Sequence, residues 1–318
     1  MMATELAESD MSSCACCGVT SDDDGINLKL CTACKLVRYC GVKCQKEHRR
    51  HHKKECKKRM AELRDEILFR QPESNHLGDC PICFLPHKIW TIDKKISSLS
   101  SCCLKEICKG CAYADQKRMS EGKLEITCLF CRQPYPKSFE EANLQRMKRA
   151  KANDPIAIRE GGSLHFKEGN NSGAFDCWTK AAKLGDVQSH YSLSELYKNG
   201  HGVEKNKKKY IYHLEEAAIG GVVQARYDLA SVEVLEKTEE SAKRAVKHFI
   251  IAANHGHDQS ILELRVLYEH FDHLVTKEEF AAALRAHQAA VDAMNSPLRE
   301  EGERMFDEWK AAGLIPDP

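Results

Sequence analysis

Sixteen of the seventeen cysteines in this 318-residue chain fall between Cys14 and Cys131, and most of them fall in pairs. Residues 14 to 56 contain Cys14-x2-Cys17, Cys31-x2-Cys34, Cys40-x3-Cys44 and His52-x3-Cys56. Residues 80 to 131 contain Cys80-x2-Cys83, Cys102-Cys103, Cys108-x2-Cys111 and Cys128-x2-Cys131. Two intervening residues let a tight turn aim both sulfurs at one ion, and three place two donors on one helical face. Eight donors make two tetrahedral Zn²⁺ sites in the first block. Cys16 fits neither pattern and reads as a non-ligand. His48, four residues after Cys44, competes with His52 for a place in the first block. A segment as short as 14–56 cannot bury enough apolar area to fold without its metal. The N-terminal MMATELAESD is acidic and lacks the apolar run of a secretory leader, so the thiols are expected on metal in a reducing compartment, cytoplasm or nucleus.

The first block resembles the MYND-type zinc finger over residues 14–56, including Tyr39 before Cys40, Gln45 after Cys44 and the closing His52-Lys53-x-x-Cys56. The resemblance implies interleaved sites, with Cys14, Cys17, Cys40 and Cys44 on one ion and Cys31, Cys34, His52 and Cys56 on the other. It also implies a proline-rich peptide as a partner. One departure bears on that partner, because Arg49 stands where the family usually has a tryptophan. The basic run from Cys40 to Arg59, with nine Lys or Arg against two Glu, then reads as metal-bearing helix. Its cations are solvated and partly neutralise thiolate charge.

The second block, with gaps of 18, 4 and 16 residues between its pairs, resembles the all-cysteine RING finger of a ubiquitin ligase. That likeness implies Cys80, Cys83, Cys108 and Cys111 on one ion and Cys102, Cys103, Cys128 and Cys131 on the other. The expected total for the chain is then four Zn²⁺ ions, two per block. Adjacent Cys102 and Cys103 can share an ion only on a bent backbone, which leaves His87 or an outside group as a substitute for Cys102. The position after the seventh donor is Leu129, where active RING fingers usually have proline. Such a finger holds a loaded ubiquitin-conjugating enzyme in reactive geometry, which is catalysis by orientation. The resemblance gives Ile82 and Leu129 to the docking groove and Arg132 to a bridge between enzyme and ubiquitin. The plainer reading makes Ile82 and Leu129 mini-core and Arg132 a surface charge.

The elements that carry these donors are few. After Cys56, Met60, Leu63 and Ile67 recur at helical spacing, so residues 57–78 read as a helical linker. Residues 1–13 read as disordered. From about residue 140 the chain is rich in helix formers, and one phrase recurs as KAAKLGD, EEAAIGG and IAANHGH. Its alanine pairs begin at 181, 217 and 252, and Gly185, Gly221 and Gly256 follow in step. A period in the mid-thirties with two helices per unit means an α-solenoid. YKNGHGV and EEAAIGG resemble SEL-like repeats, relatives of tetratricopeptide repeats, over units 155–186, 187–222 and 223–257, with 258–294 as a cap. Residues 295–318 read as a tail with one helix.

The expected fold class is therefore two small zinc-stabilised modules followed by an all-α solenoid, an order similar to that of multi-member diatom and algal families. Balanced charge, 48 basic against 47 acidic residues, disfavours nucleic acid as a partner, and no apolar run reaches membrane length. The expected work is protein interaction, with ubiquitin ligation at the second module and an unknown client on the repeats. A non-enzymatic scaffold is the alternative.

Overall fold

The computed structural model describes residues 12–20, 26–89, 97–122, 127–271 and 273–313. It divides into two compact units, 1–70 and 71–318. The expectation of disorder over 1–13 falls, up to residue 11, outside the described residues.

In the first unit β1 (Lys29–Leu30) pairs antiparallel with β2 (Arg38–Tyr39), and α1 (Val42–Leu68) follows. Helix α1 is rich in Lys, Arg and Glu, which sustain a helix with little apolar burial. Its 27 residues extend about 40 Å. The helix runs unbroken through His52 and Cys56 and ends at Leu68, so the stretch 69–78 is not helical as the linker reading had it. The buried hydrophobic cluster around the donors of this unit is Leu28, Tyr39 and three cysteines, Cys14, Cys31 and Cys34. Two ordinary apolar side chains are no core for such a segment, and the sulfurs fill the place.

The second unit begins with an irregular segment and a small sheet, β3 (Ser97–Leu99) antiparallel to β4 (Glu106–Cys108), followed by α2 (Lys109–Gly122). Helix α3 (Phe139–Lys151) leads into four helical hairpins. These are α4 (Pro155–Lys167) with α5 (Asn171–Lys183), and α6 (Val187–Asn199) with α7 (Lys207–Ile219). They continue as α8 (Val223–Leu235) with α9 (Glu239–Ala253), and α10 (Asp258–His270) with α11 (Lys277–Met294). Each hairpin stacks on the next, through α5 on α6, α7 on α8 and α9 on α10. The recurring phrase is the hinge of this stack. Gly185, Gly221 and Gly256 all adopt positive φ, 94°, 87° and 83°, which a side chain would oppose. The alanines before them, Ala181, Ala217, Ala218, Ala252 and Ala253, are completely buried where helices approach closely.

The segment read as a tail forms α12 (Pro297–Ala311), capped by Ser296 with Pro297 in its first turn. It does not hang free. It lies along α2, where a Cβ built on Gly110 would sit 2.8 Å from the Arg299 backbone, and one on Gly302 would sit 2.7 Å from Gly110 Cα. Only glycine permits this crossing. Tyr113 donates its hydroxyl hydrogen to Glu301 (3.1 Å), and Lys88 pairs with Glu303 (2.7 Å).

The second cysteine block is thus seated on the repeats. The His76 amide donates to the Gly221 carbonyl (3.0 Å), and the Ser101 hydroxyl to Gln145 Oε1 on α3 (2.8 Å). A cavity of about 280 Å³ lies between the two, walled by Leu77, Ile89 and Leu99 on one side and Arg159, Tyr191 and Val223 on the other.

Candidate metal centres

The structure gathers the sixteen donors into four groups, each with its sulfur or nitrogen atoms within 4.8 Å of one another. They are Cys14, Cys17, Cys40 and Cys44; Cys31, Cys34, His52 and Cys56; Cys80, Cys83, Cys108 and Cys111; and Cys102, Cys103, Cys128 and Cys131. In both blocks the first pair meets the third and the second meets the fourth. This interleaving ties each block into one body rather than two beads.

The local backbone explains how the close pairs converge. At Cys14–Gly18, Cys31–Lys35, Cys80–Phe84 and Cys128–Arg132, the carbonyl of the first cysteine accepts from the amide four residues on, at 2.9 to 3.0 Å. That fourth residue is left-handed in every case, with φ of 76° at Gly18, 56° at Lys35, 56° at Phe84 and 61° at Arg132. The reversal turns both sulfurs to one side. A fifth turn of the same kind starts at Ser100, whose carbonyl accepts from the amide of left-handed Leu104 (2.8 Å). Serine occupies the place of the first cysteine there, and Cys102 enters from inside the turn. This is the bend that lets adjacent Cys102 and Cys103 serve one site. Cys102 Sγ lies 3.4 Å from Cys131 Sγ, and Cys103 Sγ lies 3.7 Å from Cys128 Sγ. His87 does not belong to the group; it is buried, with its amide donating to the Gly78 carbonyl.

The donors fit Zn²⁺. Four sulfurs at about 2.3 Å around a tetrahedral ion stand roughly 3.8 Å apart. Cys17 and Cys40 are 3.6 Å apart, Cys40 and Cys44 3.5 Å, Cys31 and Cys56 4.0 Å, and Cys83 and Cys108 3.8 Å. His52 Nε2 is 3.1 Å from Cys34 Sγ, while His48 Nδ1 turns to the Tyr39 hydroxyl (3.1 Å). That settles which histidine joins the sulfurs. Burial, with His48 beside it, lowers the His52 pKa and keeps the imidazole neutral, the form a metal takes.

Electrostatics within the groups point the same way. The Cys108 thiol donates toward Cys80 and, with backbone amides and against burial, brings Cys80 down to about 3. Cys108 itself is pushed far up by that same contact and by burial. Burial and repulsion from Cys34 raise Cys56 to about 11, and burial raises Cys111 to about 12. Four thiols packed this closely cannot all ionise by themselves. A divalent cation resolves the conflict by accepting all of them as thiolates. Cys16 donates weakly to Glu47 (3.8 Å) and lies with Cys44 at the edge of the first group.

The three residues given to enzyme docking are placed as follows. Ile82 and Leu129 are half-buried against one small cluster with Cys80, Ile107, Cys108 and Cys111. Arg132 is exposed beside Cys131. Among the described residues of this module the most exposed large apolar side chains are instead Phe84 and Phe130, 76% and 45% exposed, which spacing alone did not single out. Their signal was a bulky residue following or lying within a Cys-x2-Cys turn, where the backbone throws it outward. Arg299 was also missed. It is 2% exposed, and its guanidinium donates to Cys83 Sγ (3.3 Å) and to the carbonyls of Leu85, Pro86 and Met294. Burial opposes its charge, but the Cys83 and Cys108 sulfurs hold it protonated beyond the ordinary arginine range.

Comparison with known proteins agrees with the reading of the first block. The MYND finger family model matches residues 14–56. No curated protein matches the chain. Among solved structures, one similar chain is c5321, a protective antigen present in uropathogenic Escherichia coli strains and displaying an SLR fold. It is 20% identical, with 58% of this chain and 38% of that chain covered and a TM-score of 0.39. Another is a Sel1 repeat protein from Oxalobacter formigenes, 23% identical, with 54% of this chain and 50% of that chain covered and a TM-score of 0.41. The chain spans half or less of the length of these two neighbours. The MYND finger and the four donor groups equip this chain to bind zinc. No helix among the described residues is long and apolar enough to cross a membrane.

Proposed function

We propose that this protein is a zinc-dependent adaptor whose second module works as a RING-type ubiquitin ligase while the repeats hold the client. The observation that carries the reading is the interleaved second block, with Ile82 and Leu129 on one cluster and exposed Arg132 directly after the last donor. In this reading the module offers no nucleophile. Its thiols are committed to metal, and it accelerates transfer by holding the thioester of a loaded conjugating enzyme in a reactive pose. Phe84 and Phe130 widen the apolar surface available to that enzyme. The client is drawn to the cavity between this module and the repeats. Leu77, Ile89, Leu99 and Val223 line it, with His76 and Gln188 as polar groups among them. An apolar side chain with flanking peptide amides suits that lining.

A second reading, a scaffold without ligase activity, is favoured by one observation: Ile82 and Leu129 pack into the mini-core and are only half available. A discharge assay separates the two. The full-length zinc-loaded protein is mixed with a panel of ubiquitin-loaded conjugating enzymes and free lysine. Ligase activity appears as faster loss of the thioester with at least one enzyme, reduced roughly tenfold or more by Arg132→Ala and abolished by Cys80→Ser. A panel in which no thioester is discharged faster than without the protein rejects ligation and leaves the scaffold.

A further inference from the structure

We infer that Arg299, on the C-terminal helix, supplies the counter-charge of the Cys80, Cys83, Cys108 and Cys111 zinc site, so that metal at this site and docking of α12 on α2 are coupled. The inference rests on zinc binding and stands apart from the ligase reading.

A buried guanidinium needs negative charge nearby, because desolvating it without compensation costs several kcal/mol. Arg299 is buried, and among the described residues no carboxylate lies within ion-pair distance of it. Its polar contacts are three carbonyls and one sulfur: Leu85 (2.9 Å), Pro86 (2.6 Å), Met294 (2.7 Å) and Cys83 Sγ (3.3 Å). Carbonyls orient the fork but carry no net charge. The anion must come from the sulfur cluster, and four thiolates on one Zn²⁺ leave a formal charge of −2.

The same residue anchors the helix. Pro86 and Leu85 belong to the turn that follows Cys83, and Met294 ends α11, so one side chain fastens the zinc turn to the end of the solenoid. The Gly110–Gly302 crossing brings the two backbones close enough for Arg299 to reach. Two backbone amides also donate to this cluster, Cys108 N to Cys80 Sγ and Cys111 N to Cys108 Sγ, each at 3.5 Å. Arg299 is the donor that comes from a distant part of the chain. Linkage makes the effect reciprocal: what stabilises the docked helix stabilises the metal, and by the same factor.

The experiment follows zinc leaving the full-length protein into a chromogenic chelator, with mass mapping of cysteines as they become alkylatable. Arg299→Met removes the charge at similar length, and Arg299→Lys keeps the charge without the fork. Arg304→Met, an exposed position on the same helix, is the control. The expected result is that one ion of four, the one released with exposure of Cys80, Cys83, Cys108 and Cys111, leaves 10 to 100 times faster in Arg299→Met. Arg299→Lys should recover part of the difference, and Arg304→Met should match the parent. In Cys80→Ser, amide exchange over residues 297–311 should accelerate. Should Arg299→Met fail to fold, Gly302→Val tests the same coupling by pushing α12 off α2 with the charge intact, and the same ion should leave faster. Unchanged release in either folded variant overturns the inference, as does uniform acceleration of all four ions.

Discussion

The two zinc modules use the same interleaved wiring but differ in what surrounds it. In the first, all eight donors lie within 43 consecutive residues, and three of them, Cys44, His52 and Cys56, sit on one helix that also carries a row of exposed lysines and arginines. Its apolar complement is Leu28 and Tyr39. The second spreads its donors over 52 residues, contributes the buried Ile107 to its own core, and is gripped by the irregular segment before it, by α3 and by α12. The first module is a fold made by metal. The second is a fold made by metal and by a solenoid, and its inner charge is balanced by a residue 216 positions away in sequence.

Metal removal gives this contrast its largest expected effect. The intact protein should carry four zinc ions. Structural Zn²⁺ contributes on the order of 10–16 kcal/mol to small fingers, far more than any packing the first module possesses. Under strong chelation the amides of Cys31 and Tyr39 should exchange at unfolded-chain rates. The His76 amide, held by Gly221, should remain protected, and most helical circular dichroism should persist because α4 to α11 hold no donors. Loss of His76 protection in step with the first module would break the distinction between the two.

The close donor pairs were legible in the sequence because metal geometry is local, whereas their interleaving came only from the resemblance to the two finger families. Pairs at two or three intervening residues can only be turns or helix faces, and the recurring glycines marked the hairpin ends by their backbone conformation alone. What was not legible depended on distance. Gly110 and Gly302 are ordinary glycines until two helices cross at them, and Arg299 is an ordinary basic residue in PLREEGE until it is buried against sulfur. The placement of Cys102 lay between these cases. Adjacent donors signalled a bend, but only the structure shows the turn beginning at Ser100 that produces it.

The solenoid should answer to apolar deletion as the first module answers to chelation. Leu264 is fully buried in a cluster with Val246, Phe249, Val275 and Ala283, joining the last two hairpins. Leu264→Ala should reduce stability by about 2–5 kcal/mol through lost burial and the cavity left behind. Chemical denaturation followed at 222 nm measures this, and zinc stoichiometry should remain at four. Zinc loss from the first module in this variant would mean that the two units are not energetically separate.

The smallest effect sharpens the contrast through pH. Both regions respond to acid, the modules because thiolates protonate and release metal, the repeats because of buried histidines. His257 caps α10 by accepting the Ser260 amide on Nδ1 (3.2 Å), while Nε2 faces Gln224 Oε1 (3.4 Å), an arrangement only the neutral ring can make. Burial lowers its pKa to about 4, with Asp258 opposing the shift and His287 adding to it. Because the unfolded chain takes up the proton near 6.5 and the folded chain near 4, the unfolded state binds more protons between them. Stability contributed here is complete above about 6.5 and is lost as pH falls toward 4. Asn is a good cap without a titrating group, so His257→Asn should leave stability at pH 7.5 nearly unchanged, within about 1 kcal/mol. Between pH 7.5 and 5.5 its thermal midpoint should fall less than the parent's, with zinc present in both. Since both proteins carry the same zinc modules, the difference in slope belongs to the solenoid. Equal slopes would return the acid response to the thiolates.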